Sequence, residues 1–255
     1  MSRRLDRDVS ASSTDAVTRL LLLAGLWLGS RLVAAVVAAP FIDVDEPLSS
    51  GTLVVSQLPF WAATVGGLWW MARREGEAPA RFVRWGFAPA DLAVGAVAGF
   101  GLHWGVNLLY RALEDFGVSG DPSASARSLV DASPGIAGKA TLLVMVAVGA
   151  PIVEELYYRG VAQRTVVELA GGDEADGVSM GAVLGVGAVA AFFALSHVST
   201  GDDLIQLPGL TLVGVILGVL VWRTGRLGPA IVAHGVFNLC SLLVLWGVSS
   251  PLLAG

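Results

Sequence analysis

The spacing between charged residues is the feature that most constrains this chain. Five runs of 19 residues or more carry no charge, at 47–72, 92–110, 177–201, 204–222 and 227–255. A sixth apolar run, 20–42, is interrupted only by Arg31. About 20 apolar residues suffice to cross a hydrocarbon core of roughly 30 Å. Each run is therefore long enough to span a membrane.

A seventh apolar segment ends in two acids. Only 14 uncharged residues separate Lys139 from Glu154, which is about 21 Å of helix. If this segment crosses the bilayer, Glu154 and Glu155 are drawn into it. Acids inside a membrane cost about 2.5–3.5 kcal/mol each on insertion scales and by default indicate a functional site.

Composition supports a polytopic membrane protein and excludes several other classes. Hydrophobic residues make up 55% of the chain and charged residues 15%, against about 25% charged residues in a soluble domain. The single cysteine, Cys240, excludes an internal disulfide framework. The net charge of −5, without a basic block, predicts no nucleic-acid partner. The expected environment is a lipid bilayer.

These observations predict an all-α bundle of about seven transmembrane helices, or eight if the last run is a broken pair. Twelve arginines fall at the N-terminus and in the loops near 72–89, 159–177 and 223–228, against three basic residues on the other side. The positive-inside rule then places the N-terminus in the cytoplasm and the protein in the cytoplasmic membrane. We expect one integrated membrane domain, with three helices in 1–134 and the helices that carry the acidic pair and the later polar residues in 135–255.

The acidic segment has a pattern suited to catalysis. On a helix, Glu155 and Arg159 stand four residues apart and face each other. Glu154 is rotated by about 100° and is left available as a general base. The alternative is that Glu155 and Arg159 form a purely structural ion pair.

Two of the three histidines lie in uncharged runs beside other suggestive residues. His197 lies near the end of the run 177–201, in the sequence Phe193-Ala-Leu-Ser-His197. His234 and Asn238 lie one helical turn apart in the last run, where they could donate to one substrate oxygen. The alternative for Asn238 is a polar contact between helices, and His103 is expected to make only such a contact.

Together, these motifs resemble those of the CAAX-protease and bacteriocin-processing (CPBP or ABI) family of intramembrane endopeptidases. The resemblance covers roughly 135–248, and it rests on Glu154-Glu155-x-x-x-Arg159, Phe193-x-x-x-His197 and His234-x-x-x-Asn238 in that order. Tyr158 stands where the family often has Phe, and its hydroxyl could bond to a nearby carboxylate.

The resemblance implies a role for each motif residue. Glu154 would activate a water together with His197, while His234 and Asn238 would stabilise the oxyanion, and Glu155 and Arg159 would support the acidic motif. Glu154, His197 and His234 could instead ligate zinc. Because no His-Glu-x-x-His helix is present, a mechanism without a tightly held metal is favoured.

The position of His197 sets a geometric condition on this site. If its helix enters the membrane at Val178, His197 lies near the far side, away from Glu154. The glycine-rich start of that helix must then stand partly outside the core, or the helix must tilt strongly.

The predicted function is hydrolysis of peptide bonds in peptide or membrane-associated protein substrates. One alternative is a non-catalytic membrane scaffold or bacteriocin-immunity protein that keeps the fold. A proton-coupled transporter is a second alternative, because intramembrane acids and imidazoles can also relay protons.

Overall fold

A computed structural model describes residues 2–43, 46–172, 179–250 and 253, with side chains from residue 15 onward. Within these ranges the chain is largely helical and contains no strand, which confirms the all-α prediction. The helices are α1 Ser2–Ala38, α2 Ser50–Arg74, α3 Pro79–Phe82, α4 Ala90–Asp115, α5 Ala124–Asp131, α6 Gly135–Leu169, α7 Met180–Leu195, α8 Leu207–Thr224 and α9 Gly228–Leu245.

Five segments of the described chain are long and apolar enough to cross a membrane: Asp15–Phe41, α4, α6, Gly201–Thr224 and α9. Helix α2 has 25 residues but a lower hydropathy, and α7 has only 16 residues, or about 24 Å. In chain order, the seven predicted spans correspond to α1, α2, α4, α6, α7, α8 and α9. In its described part, the run predicted as one or two helices holds the single helix α9.

Large apolar side chains cover the outside of the bundle. Val97 on α4 is 75% exposed and Leu21 on α1 is 68% exposed. Many leucines and valines on these two helices share this exposure, as a surface in contact with lipid requires. The bundle therefore has the surface of a membrane protein.

Helix α6 is wound unevenly around the acidic pair. Leu143–Gly149 and Leu156–Ala162 form wider π-helical turns on either side of the α-helical stretch Ala150–Glu155. In such turns the backbone hydrogen bonds join residues five apart instead of four, and these turns are frequent at functional sites. Glu154 and Glu155 lie near the middle of α6, not near one of its ends.

Helices α6 and α7 form an antiparallel hairpin whose register decides where His197 lies. A Cβ on Gly185 would collide with Val167, so the two backbones approach closely near the closed end of the hairpin. Farther along, the rings of Tyr158 and Phe193 meet edge to face at 5.3 Å. The same register carries His197 to the level of the acidic motif.

Helices α4 and α9 pack closely through small residues on α4. A Cβ built on Gly99 would lie 2.5 Å from the carbonyl oxygen of Ala233 and 2.7 Å from the Cβ of Val236. Gly95, one turn earlier, meets Val232 and the carbonyl of Pro229 in the same way. Since α9 carries His234, this contact fixes the position of one site residue.

Replacing Gly99 by alanine is expected to destabilise the bundle, because the added methyl group has no room against the backbone of α9. We expect a loss of about 1–3 kcal/mol, the usual cost of overpacking. The control is Gly101→Ala on the same helix, where a Cβ would meet nothing within 4 Å. Thermal unfolding in detergent would measure both variants, and equal melting temperatures would contradict the packing described here.

Candidate active site

The Glu155 carboxylate is the centre of a buried polar cluster. Its Oε1 accepts hydrogen bonds from Arg159 Nη1 and from His234 Nδ1, each at 3.0 Å. The side chains of Glu155 and Arg159 are 0% exposed and that of His234 is 5% exposed. The charge of the guanidinium is therefore balanced within α6, and the same carboxylate orients an imidazole on α9.

Arg159 is held by its surroundings as well as by Glu155. Its Nη2 donates to the carbonyl oxygen of Gly214 on α8 at 3.2 Å, and its guanidinium lies 4.5 Å from the ring centroid of Phe193. One turn later, Gln163 donates to the carbonyl of Gly218 at 3.1 Å. These contacts join α6 to α7 and α8 behind the carboxylates.

Glu154 lies on a different face of α6 and is left without such bonds. Its Oε2 is 3.8 Å from His234 Nε2 and 4.0 Å from His197 Nε2. That oxygen is buried and has no hydrogen-bond partner among the described residues. The structure thus brings Glu154, His197 and His234 together.

The hydrogen bonds of the two histidines determine which ring nitrogen faces Glu154. His197 Nδ1 lies 2.7 Å from the carbonyl oxygen of Phe193, which can only accept. His234 Nδ1 faces the Glu155 carboxylate, which also accepts. When neutral, both rings therefore carry their proton on Nδ1 and present an unprotonated Nε2 to Glu154.

The hydroxyl groups of Tyr158 and Ser196 form hydrogen bonds beside His197. Tyr158 donates to Ser196 Oγ at 2.7 Å, and Ser196 donates to the carbonyl of Phe193 at 2.7 Å. The Tyr158 hydroxyl thus bonds to a serine beside His197, whereas the sequence suggested a nearby carboxylate.

Asn238 is bound to the backbone of α6. The backbone N–H of Ala150 reaches the carbonyl five residues back, that of Met145. By the same five-residue spacing, the carbonyl of Val146 would accept from the backbone N–H of residue 151. That residue is Pro151, which has no N–H, so the Val146 carbonyl lacks a backbone donor. Asn238 Nδ2 donates to this carbonyl at 2.8 Å. This bond is a contact between helices, and the second amide proton of Asn238 is left for another acceptor.

A cavity of about 280 Å³ opens beside the carboxylate and imidazole. Glu154 and His197 form part of its wall, and the N-terminal helices supply the opposite side. Sequence reasoning missed these residues, which are Trp27, Arg31, Gln57, Phe60 and Thr64. Arg31 carried the one available signal, because it interrupts an otherwise uncharged span.

The donor set around Glu154 has the chemistry of a zinc site, since a carboxylate and two imidazole Nε2 atoms converge and each Nδ1 is held by an acceptor. Zinc bonds of about 2.0–2.1 Å in a tetrahedral site require ligand atoms about 3.4 Å apart. The separations of 3.8 and 4.0 Å are wider. Among the described residues, no group of three His, Cys, Asp or Glu side chains is arranged for a metal ion.

The third histidine lies elsewhere. His103 is buried on α4, where its Nε2 is 3.3 Å from the carbonyl oxygen of Leu253 and 3.3 Å from Asn107 Nδ2. The first contact joins α4 to the C-terminal segment and the second lies within α4, as expected for a histidine outside the site.

Comparison with known proteins agrees with the motif pattern. Residues 136–240 match the family model described as type II CAAX prenyl endopeptidase Rce1-like. No curated protein and no solved structure matches the chain. The family match supports the predicted assignment to the CAAX proteases and, in general terms, a CAAX-type intramembrane endopeptidase.

The two adjacent glutamates are expected to differ sharply in their effect on stability. Glu155→Gln should cost about 3–5 kcal/mol, because it leaves the buried Arg159 charge unbalanced. Glu154→Gln is the matched control. Its melting temperature should be close to that of wild type, since Glu154 Oε2 has no bond to lose among the described residues. Thermal unfolding in detergent would test this difference, and similar losses in both variants would contradict the division of roles.

Proposed function

We propose that this chain, which its motifs and family match assign to the CAAX proteases, hydrolyses peptide bonds within the membrane through a water activated by Glu154. The observation that carries the proposal is the unpartnered Glu154 oxygen beside two imidazole nitrogens and a cavity. Leaving a carboxylate oxygen unbonded in an apolar bundle lowers stability. Glu155 Oε2 is also buried without a bond among the described residues, but Glu154 in addition lies beside two imidazole Nε2 atoms and in the cavity wall, where a general base can meet water and substrate.

In this mechanism Glu154 accepts a proton from the water, and the unprotonated Nε2 of His197 accepts the water's second hydrogen bond. A water between the two groups would be held by both, because they are 4.0 Å apart. The attack on the scissile carbonyl carbon then forms the new C–O bond. The tetrahedral intermediate then collapses with cleavage of the C–N bond, and Glu154 passes its proton to the leaving amine nitrogen, the ordinary sequence for a carboxylate base.

The developing oxyanion needs hydrogen-bond donors, and we assign them to His234 and Asn238. Asn238 has one amide proton beyond its bond to Val146. His234 can donate from Nε2 only when both ring nitrogens are protonated; Glu155 then still accepts from Nδ1, and the imidazolium charge would be balanced by the developing oxyanion. Glu155 and Arg159 are positioning residues in this scheme.

The cavity wall supports a peptide or membrane-associated protein as substrate. Trp27 of α1 and Phe60 of α2 line the cavity together with polar groups of α6 and of the segment after α7. Its volume is close to that of the smallest typical ligand pockets, which is about 300 Å³. This mixture suits a peptide backbone with apolar side chains.

Cleavage of a peptide and membrane-protein library by purified protein would test the mechanism. Glu154→Gln and His197→Ala are each expected to lower the rate by about 10²–10⁴-fold, the usual contribution of a general base. His103→Ala is the matched control, because His103 lies on α4 outside the site. Equal activity in wild type and in both site variants would favour the scaffold instead.

The same assay with a chelator would test the metal. We expect the wild-type rate to persist after prolonged treatment, because a water held by Glu154 and His197 requires no ion. Loss of activity that added zinc restores, with Glu154, His197 and His234 as ligands, would instead establish a metalloprotease.

A further inference from the structure

A second cavity lies at the end of the bundle where arginines collect, remote from the carboxylates. Its volume is about 530 Å³. Four arginines line it together with Trp85, and no acidic side chain of the described residues does: Arg81, Arg84, Arg164 and Arg226. We call it the arginine cavity.

Close packing between α6 and the loop after α3 builds one wall of the arginine cavity. A Cβ on Gly160 would lie 2.7 Å from the carbonyl oxygen of Val83, so only glycine permits this approach. Arg164 follows one turn later on the same face of α6. Its guanidinium lies 5.3 Å from the ring centroid of the fully buried Phe82.

Backbone bonds fix the opposite wall. Leu227 donates to the carbonyl of Arg84 at 3.2 Å, and Gly228 donates to the carbonyl of Gly86 at 3.0 Å. These bonds pin the loop after α3 to the turn between α8 and α9. Arg84 adopts a left-handed conformation, with φ 55°, which is uncommon for a residue other than glycine. Arginines from three segments are thus held around one space.

Asp91 and Glu168 pair with two of these arginines, Arg226 and Arg164. Asp91 is engaged by Arg226 through two bonds of 2.6 and 2.9 Å. Glu168 bonds to Arg19 at 2.6 Å and reaches Arg164 Nε only at 3.7 Å. Arg164 Nε and Nη2 are buried without a hydrogen-bond partner among the described residues. The arginine cavity therefore keeps unused donors on Arg164, and no acidic side chain of the described residues lines it.

Phosphate oxygens match these donors, because a guanidinium binds them through paired, charge-assisted hydrogen bonds. The cavity also lies where a membrane surface is expected. Trp85 and Phe87 are 48% and 49% exposed beside it and meet edge to face at 5.4 Å, as aromatic residues do at the headgroup level. We propose that the arginine cavity binds the phosphate of an anionic phospholipid headgroup.

Thermal unfolding of the full chain in a nonionic detergent would test this proposal, with native mass spectrometry to count bound lipid. The probes are short-chain phosphatidylglycerol, short-chain phosphatidylcholine and inorganic phosphate. Phosphatidylglycerol should raise the melting temperature of wild type by mass action, with one lipid bound. In Arg81→Gln/Arg84→Gln, about tenfold or more lipid should be needed for the same shift.

The matched control is Arg73→Gln/Arg74→Gln, which also removes two charges, from residues that lie over Trp69 and Trp70 and not in the cavity. It should respond to lipid as wild type does. If Arg81→Gln/Arg84→Gln does not fold, the exposed Arg81→Gln alone should show a weaker shift in the same direction.

Three results would overturn the proposal. Equal shifts with phosphatidylcholine would remove the charge selectivity, and an equal loss of binding in Arg73→Gln/Arg74→Gln would reduce the effect to general surface charge. An equal shift with inorganic phosphate at the same concentration would make free phosphate the ligand. The readout is binding, so failure of the proposed protease function would not affect it.

Discussion

The Glu155 carboxylate is the interaction on which the rest of the site depends. A buried guanidinium cannot stay in an apolar bundle without a counter-charge, and Arg159 finds it one turn away on its own helix. The same oxygen receives His234 from α9, so one carboxylate both balances a charge and sets the direction of an imidazole. Glu155 thereby links the packing of three helices to the geometry around Glu154.

Adjacent positions on a helix give the two carboxylates opposite surroundings. A rotation of about 100° separates consecutive residues, so Glu155 faces the packed interior while Glu154 faces His197 and the cavity. Glu155 accepts two bonds through Oε1, whereas Glu154 Oε2 has no bond among the described residues and lies beside the two imidazole Nε2 atoms. In the proposed mechanism, stability and chemistry therefore depend on different members of one pair.

Much of this arrangement could be predicted from sequence because charge is rare in the spans. The i, i+4 relation of Glu155 and Arg159 follows from helix geometry alone, and the structure contains that pair. The position of His197 could not be predicted in the same way, since it depends on the register of the α6–α7 hairpin, which close contact at Gly185 sets. The cavity wall from α1 and α2 was also missed, because apolar helices without motifs carry no signal of which face meets the site.

Membrane burial explains why small residues and backbone carbonyls recur around the site. Water is absent from the bilayer core, so each polar side chain there must find its partner inside the bundle. Arg159 does so at the carbonyl of Gly214, where a Cβ would collide with Ala190. Asn238 reaches the carbonyl that Pro151 leaves without a backbone donor. Glycine brings backbones within reach of side chains, and proline creates an acceptor for them. The polar site is therefore a product of how closely the apolar helices pack.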